Sequence, residues 1–487
     1  MKIEELAKFN PWWINKESIK EDLHIKKLEK QKFKWTPRMD FYIKLKKERI
    51  YSLRGPRQVG KTTYIKNKIK ILIEHKKINP KNIFFLNCEQ LRDEKDLEES
   101  LKEYFKWSED KKNIKYIFID EASSLKEWAK VIKKLVDLGT LKNSSLLITG
   151  SHSIDIKKAA GILIGRRGES DESLDKILLP MKFSEYVNLK TKILKEIFST
   201  ETRKKIFKEL FEKENKKVTF LLNNLKIYSE ELENLFNEYL RTGGIPKVLN
   251  EYEKNKKIIK STVTTYTNYV LRELINYSFE EEILKKVVEE IIKNETNTIS
   301  WRRISSEKEI HKNTVKKYVF ALEKLFVLGI SYFCDVNNKK VNEKKNKKVY
   351  FQDPFFYHIL KAWVNSKNIN TVIEENILSN REKSIIVESI VYNHLSRLMF
   401  IFNPYDYFDT KRHIFYYRTD KGKEIDFILK WNNECLPIEV KYKEIIKRKD
   451  IPPFDKTKKR GVILTKKDFE IRENYIKIPV HIFLYII

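Results

Sequence analysis

The segment Gly55-Pro56-Arg57-Gln58-Val59-Gly60-Lys61-Thr62 constrains this chain more than any other. It fits the pattern GxxxxGK[ST] and lies between a β-rich run, Arg49–Arg54, and a stretch of helical period. In that setting backbone N–H groups can point at phosphate oxygens while the helix N-terminus adds partial positive charge. Lys61 is then expected to reach the β- and γ-phosphates of ATP and Thr62 to ligate Mg²⁺. Gly55, Pro56, Arg57, Gln58, Val59, Gly60 and Thr63 complete the cradle. A surface turn is the bland alternative, but with 12 Gly in 487 residues the two glycines rarely fall into this frame by chance.

Tyr116-Ile117-Phe118-Ile119-Asp120-Glu121 supplies the other half of such a site. An apolar strand ending in Asp places Asp120 beside the Mg²⁺, and Glu121 follows where a base can polarise an attacking water. Helix capping after a core strand is the alternative use of Asp120. The runs Asn82–Cys88 and Ser145–Gly150 read as further strands, and strands alternating with helices predict a parallel sheet. This strand count suits the ATPase branch (ASCE) that has an extra strand between the two motifs. Thr149 or Ser151 is the candidate sensor of the γ-phosphate, with His152 read as structural. In Gly165-Arg166-Arg167-Gly168, Arg166 is the candidate for stabilising transition-state charge, in cis or across a subunit boundary, against a plain solvent-facing turn.

The length predicts about three or four domains. The expected division is a basic N-terminal segment over 1–45, an ATPase core over 46–190 and a helical lid over 191–280. A winged helix-turn-helix over 281–360 and a second α/β domain over 375–487 follow. Basic residues outnumber acidic ones by 99 to 69, a net charge of +30, which favours a polyanionic partner or else reflects a codon bias toward Lys. No apolar run approaches the roughly 18 residues that span a bilayer, and residues 1–5 lack a signal-peptide core. Cys88, Cys334 and Cys435 are too far apart in sequence for a disulfide framework or zinc cage. The expectation is a soluble cytoplasmic protein with no membrane partner.

GPRQVGKTT, YIFIDEAS followed by Glu127-Trp128, LLITGSHS, GRR, the run Leu179–Glu185 (LPMKFSE) and GGIPKVL occur in an order that carries a likeness. The chain resembles prokaryotic, largely archaeal, AAA-superfamily ATPases whose C-terminal half is a winged helix plus a restriction-endonuclease-like domain of unknown function. The likeness covers nearly the whole chain, including Asn10-Pro11-Trp12-Trp13. It implies ATP and Mg²⁺ as cofactors and ATP hydrolysis as the activity.

Glu424–Leu429 (EIDFIL) and Leu436–Lys441 (LPIEVK) look like a PD-(D/E)XK nuclease core. Asp426 and Glu439 on adjacent strands and Glu388 on the preceding helix are the expected ligands of one or two Mg²⁺ ions, with Lys441 activating water. Glu-x-Lys is cheap in this composition, as Glu74-His75-Lys76 shows; what singles out Glu439 is a charge inside an apolar strand. The winged helix is expected to meet phosphates through Lys316, Lys317 and Lys324. A wing loop carrying Lys339, Lys340, Lys344, Lys345, Lys347 and Lys348 adds to that face. Two functions follow. One is an ATPase acting on nucleic acid; the other is a nucleotide-controlled switch that binds a protein partner, with the nuclease-like fold a scaffold. Self-association is expected if Arg166 or Arg167 acts in trans.

Overall fold

The computed structural model describes residues 1–37, 43–108, 110, 112–150, 161–163, 165–168, 173–191, 200–212, 216–275, 279–403, 410–457 and 459–487. Ser151 and His152 lie outside the described residues. The chain divides into two compact units, Met1–Leu179 and Pro180–Ile487.

The first unit is built on five strands: β1 (Arg49–Arg54), β2 (Ile83–Asn87), β3 (Lys115–Asp120), β4 (Ser144–Gly150) and β5 (Asp175–Ile177). They pair in parallel in the order β2-β3-β4-β1-β5. Ile117, Phe118 and Ile119 are fully buried, as is nearly every residue of β4, so the strands read as continuous apolar runs. Such strands need cover on both faces, which here comes from helices α3 (Lys61–Glu74), α4 (Glu94–Trp107) and α5 (Trp128–Asp137). With β4 inserted between β1 and β3, the loop after β1 and the Asp-Glu pair after β3 flank one strand. That is the extra strand expected between the two motifs.

Edge strand β2 is closed by the N-terminal aromatic segment. Asn10 mimics a strand residue: its Oδ1 accepts from Phe85 N at 2.6 Å and its Nδ2 donates to Phe85 O at 3.0 Å. The Trp12 and Trp13 indoles both donate to Ile83 O, at 3.1 and 2.8 Å. Trp13 also stacks on Tyr104 and lies 4.5 Å from the Trp107 ring centroid. An open parallel edge invites pairing with another chain, and this segment removes that option.

The second unit opens with the helices Phe183–Lys190, Ser229–Thr242 and Pro246–Asn255. The run Leu179–Glu185 and the GGIPKVL segment meet through a backbone hydrogen bond. Met181 N donates to Gly244 O at 2.7 Å, Tyr239 Oη to Met181 O at 2.8 Å, and Gly244 N to Asp353 Oδ2 at 2.9 Å. Helices Glu281–Lys293, Trp301–Lys308 and Lys312–Lys324 follow, then β6 (Leu328–Asp335), β7 (Lys340–Asn342) and β8 (Lys348–Phe351).

A nine-stranded sheet runs through this unit, adding β9 (Ile414–Arg418), β10 (Glu424–Trp431), β11 (Glu434–Lys441), β12 (Gly461–Thr465), β13 (Glu470–Ile471) and β14 (Tyr475–Pro479). The boundary expected between 360 and 375 is crossed by this sheet. One edge of β6 pairs with β8 and β7, while Tyr332 and Phe333 pair with Phe415 and Tyr416 of β9. Helix Asn380–Phe402 lies against it. At 23 residues it is long and apolar enough to cross a membrane, but 83% of its apolar window is buried in the protein. That stretch carries polar interruptions that conceal it as an apolar run in the sequence.

Candidate functional site

The phosphate-binding loop joins β1 to α3. Gly55 is required by close approach: a Cβ there would lie 2.0 Å from Leu178 O, because Leu178 N donates to Arg54 O and brings that carbonyl against the loop. Gly60 has φ 108° and nothing within 4 Å of where its Cβ would stand, leaving an open, left-handed position just before the helix N-terminus. Gln58 is also left-handed and exposed, Arg57 pairs with Glu89 at 2.9 Å, and Pro56 and Val59 are buried beneath the turn.

Lys61 is 3% exposed, and its ammonium donates to Gly55 O at 3.0 Å and Pro56 O at 3.1 Å, with Glu121 at 3.4 Å. Thr62 Oγ1 donates to Asp120 Oδ2 at 2.7 Å, so the two expected Mg²⁺ ligands touch. Asp120 is fully buried; burial pushes its carboxyl upward against the lowering effect of Thr149 and Thr62. Glu121 adopts φ 48°, a strained conformation for a residue with a side chain. Thr149 fastens that strain in place by donating to Asp120 Oδ1 at 2.5 Å and accepting from Glu121 N at 3.0 Å. The cradle, the buried ammonium and the hydroxyl–carboxylate pair fit a magnesium nucleotide.

The arginines part company. Arg167 is structural, donating to Ile50 O at 3.0 Å and to Asp175 at 2.9 Å across β1 and β5. Arg166 Nε donates to Asp137 Oδ1 at 2.6 Å at the surface.

In the second unit, Glu388, Asp426 and Glu439 converge as expected. A bulge between Ile425 and Ile428 takes Asp426 out of register with β9. Its N–H donates to Glu439 Oε2 at 3.0 Å, while its Oδ2 accepts from Val440 N at 3.0 Å. Lys441 pairs with Glu439 Oε1.

The unforeseen member is Lys348. Expected on an exposed wing, it starts β8 and is 1% exposed, with its ammonium 2.6 Å from Glu424, 2.8 Å from Asp426 and 3.1 Å from Glu388. Lys347 is buried too, donating to Glu343 O and Lys345 O at 2.7 Å each. A period-2 reading of Lys348–Phe351 was the available signal, since it places Lys348 and Tyr350 on one strand face.

Among the described residues no group of three or more His, Cys, Asp or Glu side chains is placed to hold a metal ion. Burial and the neighbouring Asp426 push Glu388 up to about 8 and Glu439 well above its ordinary value. Burial opposes the charge on Lys348, but Asp426, Glu388 and Glu424 outweigh it and hold it protonated; Lys348 in turn holds Asp426 low.

Residues 47–187 match the AAA domain family. The first unit is an AAA-type P-loop ATPase domain. Residues 233–367 and 383–484 match two further families, each a domain of unknown function (DUF8612 and DUF4143). Two uncharacterized proteins of Methanocaldococcus jannaschii are similar over most of the chain. One is 25% identical, covering 91% of this chain and 86% of its own length; the other is 23% identical, covering 94% and 90%. Among solved structures, the Walker-type ATPase PABY2304 of Pyrococcus abyssi covers 64% of this chain and 91% of its own at 15% identity and a TM-score of 0.37. The Orc1 protein of Aeropyrum pernix, solved in complex with DNA, covers 75% and 96% at 10% identity and a TM-score of 0.30.

The match of residues 47–187 to the AAA domain supports ATP binding by the first unit. Thr149, one of the two candidates for sensing the γ-phosphate, holds both carboxylate-bearing residues through Asp120 Oδ1 and Glu121 N.

Proposed function

We propose that this protein hydrolyses ATP at Lys61, Thr62, Asp120 and Glu121 and uses the nucleotide cycle to control nucleic-acid binding by its second unit, without cutting the strand. The observation that carries the first part is the contact of Thr62 with Asp120 beside a buried Lys61–Glu121 pair. Lys61 exchanges the Gly55 and Pro56 carbonyls and Glu121 for phosphate oxygens. That exchange releases the Glu121 carboxylate to accept a proton from the attacking water. Thr62 and Asp120 would hold Mg²⁺, which neutralises charge on the reacting phosphates. Thr149 keeps Asp120 and the Glu121 backbone fixed throughout. Arg166 is the candidate for supplying transition-state charge, in cis or across a subunit boundary, and must leave Asp137 to act.

Nucleic-acid binding is supported by element order. Three helices, Glu281–Lys293, Trp301–Lys308 and Lys312–Lys324, lead into the β6–β8 pair, and an isolated bridge joins Ile299 to Lys347. That is the order of a winged helix, with exposed Lys317, Lys339, Lys340, Lys344 and Lys345 on its third helix and wing. A second reading, a nucleotide-controlled switch for a protein partner, draws on the internal use of some of these lysines. Lys339 donates to Asn433 O, and Lys317 and Lys345 lie over the Phe279 and Phe333 rings at 4.6 and 5.8 Å.

The deciding experiment is ATP hydrolysis in Mg²⁺ with and without duplex DNA, with Lys61→Ala as the blank. A rate that rises with DNA and loses that rise with added salt is expected. A rate indifferent to DNA would overturn the nucleic-acid reading in favour of the switch.

A further inference from the structure

The C-terminal carboxylates pose a charge problem that the chain solves internally. An ammonium has three N–H donors, and three carboxylates, Glu388, Glu424 and Asp426, lie within 3.1 Å of Lys348 Nζ. Further oxygens of the cluster are engaged within the chain. Asp426 Oδ2 accepts from Val440 N, Glu439 Oε2 from Asp426 N, Glu439 Oε1 from Lys441, and Glu388 Oε1 from Tyr350 Oη at 2.9 Å. A divalent ion competing for these oxygens would have to expel a buried cation that has nowhere to go, since Lys348 is rooted in the pairing of β8 with β6. The Lys348 side chain enters from β8, which precedes helix Asn380–Phe402 and strands β10 and β11 that carry the carboxylates. It thus comes from outside the element set expected to form the metal centre.

We propose that Lys348 is a resident cation, occupying the place among Glu388, Glu424 and Asp426 that a divalent metal would otherwise take, so that this centre is a metal-free salt cluster and the domain a binding scaffold. Half-buried Glu424 at the rim is the third carboxylate on the ammonium, beside Glu388 and Asp426.

The test is Mn²⁺ binding by the full chain without nucleotide, followed by electron paramagnetic resonance. Four proteins are compared: wild type, Asp426→Asn, Lys348→Ala and Lys348→Ala with Asp426→Asn. Wild type and Asp426→Asn should bind Mn²⁺ alike. Lys348→Ala should gain one site, bound at least roughly tenfold tighter than anything Asp426-dependent in the wild type, because removing the ammonium removes like-charge exclusion. The double variant should lose that site. Asp426-dependent Mn²⁺ binding by the wild type would overturn the proposal, as would a folded Lys348→Ala protein that gains none. Should Lys348→Ala fail to fold, the wild-type and Asp426→Asn pair decides alone: equal binding supports the resident cation, and a site lost with Asp426 refutes it.

Discussion

Thr149→Val separates two roles that a strand-end hydroxyl beside a nucleotide can play. Valine matches threonine in shape, so β4 keeps its packing and only two hydrogen bonds change. The first, to buried Asp120 at 2.5 Å, is charge-assisted, and such bonds contribute about 1.5–3 kcal/mol. The second leaves Glu121 N without its acceptor at 3.0 Å, in a residue already held at φ 48°. Asp120 keeps the Thr62 donor, so the loss is partial, and together the two changes should lower stability of the nucleotide-free protein by about 2–4 kcal/mol. Burial, less opposed, should push the Asp120 carboxyl still higher. In turnover, a misplaced Asp120–Glu121 pair should lower kcat by about 10- to 100-fold, equivalent to about 1.4–2.7 kcal/mol. The Kd for ATP should move less than about threefold, because Lys61 and the loop amides are untouched. Urea unfolding without nucleotide, beside steady-state ATPase and equilibrium ATP binding, reads all three. Unchanged nucleotide-free stability together with slow turnover would refute the bracing role and return Thr149 to sensing phosphate.

Two further outcomes follow from side chains that the structure places unexpectedly. Folded Glu388 ionises near 8 against an ordinary 4.5, so the folded state holds an extra proton between those values. Stability of the second unit should therefore fall as pH rises through that window, with up to about 1.4 kcal/mol per pH unit coming from Glu388, and Glu388→Gln should remove that share while leaving the share due to Glu439, which is raised likewise, in urea titrations at stepped pH. On the wing, exposed Lys340 and Lys344 should each contribute about 0.9 to the slope of log K against log salt for duplex binding. Lys347→Ala should instead lower Tm, because its ammonium closes the loop on the Glu343 and Lys345 carbonyls.

What could be read from the sequence was what local chemistry determines. A glycine frame around Lys61 and an apolar strand ending in Asp120 each carry their meaning within about ten residues, and the structure brings Lys61, Thr62, Asp120 and Glu121 together. What could not be read depends on contacts distant in sequence. NPWW read as part of a basic N-terminal segment until Asn10 and the two tryptophans met Phe85 and Ile83 across 70 to 75 positions. LPMKFSE and GGIP carried only a likeness in the sequence because their role is structural, Met181 N donating to Gly244 O across more than 60 positions.

Lysine was the residue most easily misjudged, because composition counts a charge without saying what the charge faces. Lys61, Lys66, Lys115, Lys347, Lys348 and Lys477 are all buried, and each is matched by carboxylates, carbonyls or hydroxyls. A buried ammonium is stable only when its donors are filled, so every one of these residues reports an internal constraint rather than an external field. The net charge of +30 is therefore a poor measure of affinity for a polyanion. Lys348 marks the extreme case. In sequence it closes a run that reads as a phosphate-binding wing, yet in space it supplies the positive charge that a carboxylate triad demands. The same residue thus subtracts from the case for an electrostatic surface and from the case for a metal nuclease. The reading proposed for the second unit therefore rests on lysines that stay at the surface, such as Lys340 and Lys344, and not on the total charge.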